Sequence, residues 1–160
     1  MLSYSNIEEL KKAGFVGFKT VAEMKQYGRR ILPDSGGIYM IIRPYTNKPL
    51  FLPIGTGGHY KGKNPNVSVQ ELNDNWVENT CVLYIGKATS LKTRVSTYMS
   101  FGKGAAVGHW GGRLLWQLAD ADEMLVCWKE TEEIPRKVEE GLIADFKKIY
   151  GQWPFANLRD

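Results

Sequence analysis

The stretch GIYMII at residues 37–42 decides the fold of this chain. It is rich in isoleucine, it follows the turn residues 33–36, and it ends before Pro44, which is the pattern of a β-strand. Two further runs, CVLYIG at residues 81–86 and MLVCW at residues 124–128, have the same character. The sequence therefore predicts three strands.

Helix signals lie between and after these strands. Thr89 or Ser90 is expected to cap one helix, residues 113–118 to form a second, and Pro135–Tyr150 to form a long third one that begins with a favoured first residue. The order β, β, α, α, β, α predicts an α+β fold, namely a small three-stranded antiparallel sheet flanked by helices.

Two segments extend this core. Residues 1–35 are predicted to be a helical N-terminal extension, in which Thr20 and Glu23 have the spacing of a capping box. A long insertion rich in glycine and proline, about residues 45–80, separates the first two core strands. We therefore expect a domain at residues 36–160 behind the extension.

Charge is unevenly distributed along the 160 residues. The formal net charge is only +4, yet residues 79–119 contain five basic and no acidic residues. A concentrated positive segment suits a polyanionic partner, because phosphate contacts come from Lys and Arg. On charge alone, a solvated surface that lacks acids explains the pattern equally well.

Composition excludes several other classes. No apolar run approaches the length of a membrane-spanning helix, and the first residues lack the features of a secretory signal, so no membrane partner is expected. Cys81 and Cys127 are too few for a disulfide framework or a four-ligand zinc site. These features together predict a cytoplasmic protein.

Glu139 stands out because it is polar at an apolar position. On the predicted last helix it heads a stripe that continues through Leu142, Ile143 and Phe146. A carboxylate on such a face needs a partner, which a metal ion or an arginine would supply. A salt bridge at the start of a helix is the plainer alternative.

Arg94 poses the same problem on the preceding helix. It shares a face with Leu91, Val95 and Tyr98, so its guanidinium lies near the edge of the core. Arginine suits phosphate because its planar fork donates two hydrogen bonds at once. The alternative is an arginine that extends past its apolar neighbours into water.

Two candidate ligand-binding motifs are incomplete and are rejected. Residues 57–63 have the glycine and lysine spacing of a phosphate-binding P-loop, but Asn64 follows where the magnesium-binding Ser or Thr would stand. His59 and His109 are far apart and have no recognisable zinc-ligand spacing. Residues 57–63 are therefore interpreted as a basic loop.

Five short motifs occur in order along the chain. They are Gly37-Ile38-Tyr39, Tyr84-Ile85-Gly86-Lys87, Leu91-Lys92-Thr93-Arg94 with Tyr98, Glu139-Glu140-Gly141-Leu142-Ile143 and Pro154-Phe155-Ala156-Asn157. Together they resemble the motifs of the GIY-YIG nuclease superfamily, over about residues 36 to 158. The arginine motif is most similar to that of the nuclease module in the bacterial excision-repair incision subunit. The segment at residues 109–113 is not a general family motif and suggests a subfamily of small bacterial proteins.

The resemblance implies hydrolysis of DNA phosphodiesters with one divalent ion, Mg²⁺ or Mn²⁺. It assigns the metal to Glu139, and a hard cation can be held by one carboxylate together with water and substrate phosphate. It assigns phosphate binding to Arg94, and orientation or deprotonation of the attacking water to Tyr39. The remaining catalytic positions implied are Lys87, Tyr98, Tyr84 and Asn157.

Several basic residues are expected to contact the DNA, whether duplex, branched or nicked. The oligomeric state cannot be predicted from the sequence. A catalytically silent DNA-binding or protein-interaction module on the same fold remains the alternative. The expected nucleic-acid contacts are Lys92, Lys103, Arg113, His109, Lys61 and Lys63.

Overall fold

The computed structural model describes residues 2–158 of the chain. Met1 of the predicted extension and residues 159–160 of the predicted domain lie outside the described residues. The helices and strands, in order, are α1 (Ile7–Lys12), β1 (Val16–Thr20), α2 (Val21–Ile31), β2 (Gly37–Ile42), α3 (Val69–Asn75), β3 (Val82–Ala88), α4 (Leu91–Gly102), β4 (Leu125–Glu130) and α5 (Pro135–Tyr150).

The predicted α+β class is confirmed, but the number of strands is not. The sheet has four antiparallel strands in the order β1-β4-β2-β3, whereas the sequence predicts three. The three predicted strands form the β4-β2-β3 part. The additional strand, β1, lies at the outer edge of β4.

The prediction of a wholly helical N-terminal extension is wrong because it misses β1. Gly17 and Phe18 have positive φ angles of 99° and 53°, and the pairing with β4 shifts register between Gly17 and Lys19. A Cβ on Gly17 would lie 2.4 Å from the ring of Trp128, so only glycine lets this ring pack across the strand. The bulged strand therefore lacks the alternating pattern that marks a regular one.

The sheet is covered on both faces, which explains why every residue of β2 is buried. Tyr39 and Ile41 point to the face covered by α2, α4 and residues 110–117. Ile38, Met40 and Ile42 point to the other face, which α1 and α5 cover. Alternate residues of one strand thus serve two hydrophobic layers.

The segment between β2 and β3 packs onto the body of the domain. Its residues 50–56 run along residues 116–119, and Phe51 forms an isolated bridge with Leu118. The buried amide of Gln117 bonds to the backbone of Leu52 and Val67. The inserted segment therefore supports residues 110–117, a 3-10 helical stretch with a kink at Gly112.

No helix among residues 2–158 is both long and apolar enough to cross a membrane.

Candidate active site

A cleft lies at the edge of β3, where α4 and α5 approach from the two faces of the sheet. It consists of two adjoining hollows of about 390 and 560 Å³. Both hollows are lined by the same five side chains, which come from β3, α4 and α5. These are Tyr84, Lys87, Arg94, Arg136 and Glu139.

Glu139 lies on the first turns of α5 with only 16% of its side chain exposed. Burial raises the pKa of its carboxyl group, and the nearby ammonium group of Lys87 opposes this shift. The Nζ atom of Lys87 lies 3.6 Å from Oε1 of Glu139. The carboxylate therefore faces the cleft and has a salt-bridge partner in Lys87, as in the plainer alternative predicted from the sequence.

Arg94 faces the same cleft from α4. One of its terminal nitrogens donates a hydrogen bond of 2.7 Å to the carbonyl oxygen of Gly108. Among residues 2–158, no carboxylate lies within 4.0 Å of its guanidinium nitrogens, so its charge is not neutralised by an ion pair there. A half-buried arginine without an acidic partner is well suited to an anion.

A cluster of aromatic rings forms the floor of the cleft. Tyr39 has no exposed surface, and its hydroxyl lies 2.6 Å from Nε2 of His109. The ring of His109 stacks on Tyr98 with 3.8 Å between centroids and 7° between planes. Burial raises the pKa of Tyr39 well above its ordinary value of 10, and that of Tyr84 to about 12.

Tyr98, predicted to assist at the phosphate, lies behind the cleft. It has no exposed surface, and its hydroxyl donates to the carbonyl oxygen of Gly112 at 2.7 Å. A Cβ on Gly112 would lie 2.6 Å from this hydroxyl oxygen, so glycine is needed for the contact. Tyr98 therefore holds the loop that carries His109.

His109, expected to contact DNA, is not on the surface. Its ring is fully buried, and its only side-chain hydrogen bond within residues 2–158 is the one to Tyr39. Apolar surroundings disfavour its cationic form, and Arg94 acts in the same direction, so the pKa falls from 6.5 to about 3. His109 is therefore a neutral group beside Tyr39.

This neutral histidine makes folding sensitive to acid. The unfolded chain takes up a proton at His109 below about pH 6.5, whereas the folded protein does not, so stability falls as pH falls from 6.5 toward 3. From pH 7 to pH 5, His109 alone should cost about 2 kcal/mol. Urea unfolding of the wild type and of His109→Gln at both pH values measures this. An equal pH dependence in both proteins would contradict the prediction.

Asn157, predicted to belong to the catalytic cage, lines the cleft and also hydrogen-bonds to the backbone of β3. Its Oδ1 accepts from the amide of Ile85, and its Nδ2 donates to the carbonyl of Ile85, both at 2.9 Å. The amide of Ala156 also donates to Leu83. The C-terminal tail therefore satisfies the free edge of the strand that carries Tyr84 and Lys87.

Replacing Asn157 by alanine should destabilise the fold by about 1–3 kcal/mol, because two partly buried hydrogen bonds are lost. Asn75→Ala, which removes one exposed bond to Glu71, is a matched control and should cost well below 1 kcal/mol. Denaturant unfolding compares the two variants. Similar losses of stability in the two variants would show that the edge contacts of Asn157 contribute no more than one exposed hydrogen bond.

The other predicted DNA contacts fall in two places. Lys92 lies 3.7 Å from Asp34, and Lys103 donates to the backbone of Lys25, so neither lines the cleft. A second group consists of basic and aromatic residues near Gly111, which is part of the cleft wall. Its members are Tyr60, Lys61, Lys63, Trp110 and Arg113, joined by cation–π contacts of 4.4–6.0 Å.

Three further cleft residues were not identified from the sequence. Arg136, Lys147 and Trp153 line it, and the ammonium of Lys147 lies 5.1 Å from the ring centre of Trp153. The two basic residues lie at helical spacing from Glu139 and Glu140, which is a signal that sequence analysis can detect. They place positive charge on both sides of Glu139 and Glu140 along α5.

The cleft has few ligands for a soft metal ion, but its carboxylate is sufficient for a hard one. Residues 2–158 contain no group of three or more His, Cys, Asp or Glu side chains arranged to hold a metal ion. Mg²⁺ and Mn²⁺ do not need such a cage, because water and substrate phosphate complete their shells. The cleft-facing carboxylate of Glu139 fits that donor chemistry.

Comparisons of the chain with protein-family models, with curated proteins and with solved structures gave no match. The resemblance to GIY-YIG nucleases therefore depends on the five sequence motifs.

Proposed function

We propose that this protein is a divalent-metal-dependent endonuclease of the GIY-YIG type that hydrolyses DNA phosphodiester bonds. One observation carries the proposal. Residues from all five motifs, Tyr39 and Asn157 being 118 positions apart in the chain, line the two adjoining hollows of a single cleft. Glu139, Arg94 and Lys87 then have a shared task at one phosphate.

The residues divide the chemistry between charge and proton handling. Arg94 and Lys87 bind the scissile phosphate and offset its negative charge. Glu139 holds the divalent ion, which supplies stabilisation of the leaving oxygen when bound. Tyr39 first releases its hydroxyl proton to solvent, a step that burial makes costly; its phenolate oxygen then takes one proton from the attacking water, which leaves a hydroxide nucleophile and a neutral phenol, and Tyr84 orients that water.

The flanking basic residues define a path for the nucleic acid. Arg136 and Lys147 extend the positive lining along α5, and the group at Lys61, Lys63 and Arg113 adds positive charge near Gly111 of the cleft wall. Phosphate contacts of this kind position a backbone without reading sequence. We therefore propose a substrate recognised by its structure or with weak sequence preference.

A cleavage screen tests the proposal. Supercoiled, linear, nicked, branched and single-stranded DNA are incubated with the full chain and Mg²⁺, Mn²⁺ or EDTA, and a Glu139→Ala protein purified in the same way serves as the blank. We expect cleavage of at least one substrate that needs the metal and Glu139. Equal nicking by both proteins, or none by either, would reject the nuclease.

A catalytically silent DNA-binding module is the second candidate. Two observations favour it: Tyr39 has no exposed surface, and its hydroxyl is already bonded to His109. This candidate predicts salt-sensitive DNA binding with no product on any substrate. The same screen, with binding measured on the same DNA, separates the two candidates.

A further inference from the structure

His109 occupies a defined position beneath the cleft. Its ring is held by the stacked face of Tyr98, and its backbone amide donates to the carbonyl of Val107 at 3.0 Å. Arg94 fixes the preceding residue, Gly108, by donating a hydrogen bond to its carbonyl oxygen. Nε2 is thus directed at the hydroxyl of Tyr39, 2.6 Å away, from a sequence position 70 residues distant.

The second ring nitrogen, Nδ1, determines whether Nε2 donates or accepts in the hydrogen bond with Tyr39. Nδ1 of His109 is buried and has no hydrogen-bond partner among residues 2–158. A neutral imidazole carries its proton on one nitrogen and accepts on the other. Leaving an acceptor unpaired is tolerated more often than leaving a buried N–H unpaired. The proton therefore resides on Nε2, which donates to Tyr39.

We propose that His109 is a positioning residue for Tyr39, donating its Nε2–H to the tyrosine oxygen so that the phenolate form is stabilised and the hydroxyl proton points away from His109. This inference rests on the proposed nuclease function, in which Tyr39 takes a proton from water. His109 stays neutral throughout that step. A preorganised donor at an oxygen that becomes negative is an effective catalytic device.

The groups around His109 are consistent with a donor and oppose a proton acceptor. Arg94 and Tyr98 face it from α4, Tyr84 from β3 and Tyr39 from β2. The positive charge of Arg94 penalises an imidazolium at this place and favours a phenolate at Tyr39. Burial alone makes the Tyr39 phenolate costly, so both contacts are needed.

Nitrogen-15 NMR of the histidine rings tests the hydrogen bond without any activity. His59 is the only other histidine, and a His59→Gln protein assigns the signals. We expect a neutral ring with the proton on Nε2 from pH 5 to pH 9, and a changed Nε2 signal in Tyr39→Phe. A proton on Nδ1, a cationic ring or no response to Tyr39→Phe would overturn the proposal.

Kinetics test the catalytic consequence. His109→Phe keeps a ring to stack on Tyr98 but has no donor, and we expect a loss of about 10²-fold in kcat. The acid limb of its pH–rate profile should move to higher pH, because the phenolate is harder to form. His109→Gln, whose amide can donate, should recover at least about tenfold of that loss. DNA binding in Ca²⁺ and the unfolding midpoint are measured in parallel.

The outcomes separate the two proposals. Equal loss in both His109 variants with an unmoved pH profile would show a merely structural residue and overturn the positioning role. An inactive wild type would instead reject the nuclease, and the NMR result would still decide whether His109 donates to Tyr39.

Discussion

Glu139→Gln is expected to reduce metal-dependent cleavage by about 10³-fold or more while DNA binding is retained. The amide is nearly the same size as the carboxylate, so the half-buried site at the start of α5 keeps its packing. It carries no charge, however, and a hard divalent cation binds it weakly in place of a carboxylate. Removal of one negative charge from a phosphate-binding cleft should leave DNA affinity unchanged or increase it.

Glu140→Gln is the matched control because it makes the same chemical change one residue further along α5. Glu140 is exposed at the rim of the cleft and pairs with Arg136 at 3.1 Å, so its loss removes one exposed ion pair of the rim. We expect cleavage within about twofold of the wild type. Cleavage and binding are measured on the substrate found by the screen, over a series of Mg²⁺ concentrations. Equal loss in the two variants would contradict the assignment of the metal to Glu139.

The strands β2, β3 and β4 and the helix α5 could be predicted because each carries its own signal. Buried strands require long apolar runs, and α5 repeats apolar residues at helical spacing from Pro135 onward. β1 could not be predicted from the sequence, because its backbone takes positive φ at Gly17 and Phe18 and its pairing depends on β4. Tertiary pairing outweighed local pattern there.

The candidate site also has residues that could be identified from the sequence and a residue that could not be placed. Glu139 and Arg94 could be singled out because a polar residue on an apolar helix face is visible in one sequence. His109 could be noticed but not placed, because it lies in a glycine-rich stretch without periodicity and its contact with Tyr39 spans 70 residues. The sequence predicts a DNA contact at His109, whereas the structure buries its ring against Tyr39, Tyr84 and Tyr98.

Asn157 illustrates a third case, in which one residue both lines the cleft and supports a strand. The resemblance implies only a member of the catalytic cage, and the structure adds an amide that pairs with both backbone groups of Ile85. An edge strand with free backbone groups is a liability in any sheet. Asn157 can therefore act on the site both directly and through the strand that carries Tyr84 and Lys87.

Gly86→Ala should destabilise the fold by about 2–3 kcal/mol and also impair cleavage. Gly86 pairs with Tyr39 across the β2–β3 ladder, and the ring of Tyr39 lies directly over it. An added Cβ would stand 2.4 Å from Cζ of Tyr39 and 2.7 Å from Cε2 of Tyr84. Both rings are buried, so neither can move away without disturbing the core or the bond to His109.

Gly141→Ala is the control with the opposite expected sign. Gly141 lies in the exposed interior of α5, and a Cβ there meets no atom within 4 Å. Alanine should therefore stabilise the protein by about 0.5–1 kcal/mol and leave cleavage unchanged. Denaturant unfolding of both variants and of the wild type measures whether each substitution raises or lowers the free energy of unfolding. If Gly86→Ala were neutral, the rings of Tyr39 and Tyr84 would have room to move, and the tight floor on which the positioning of Tyr39 depends would not exist.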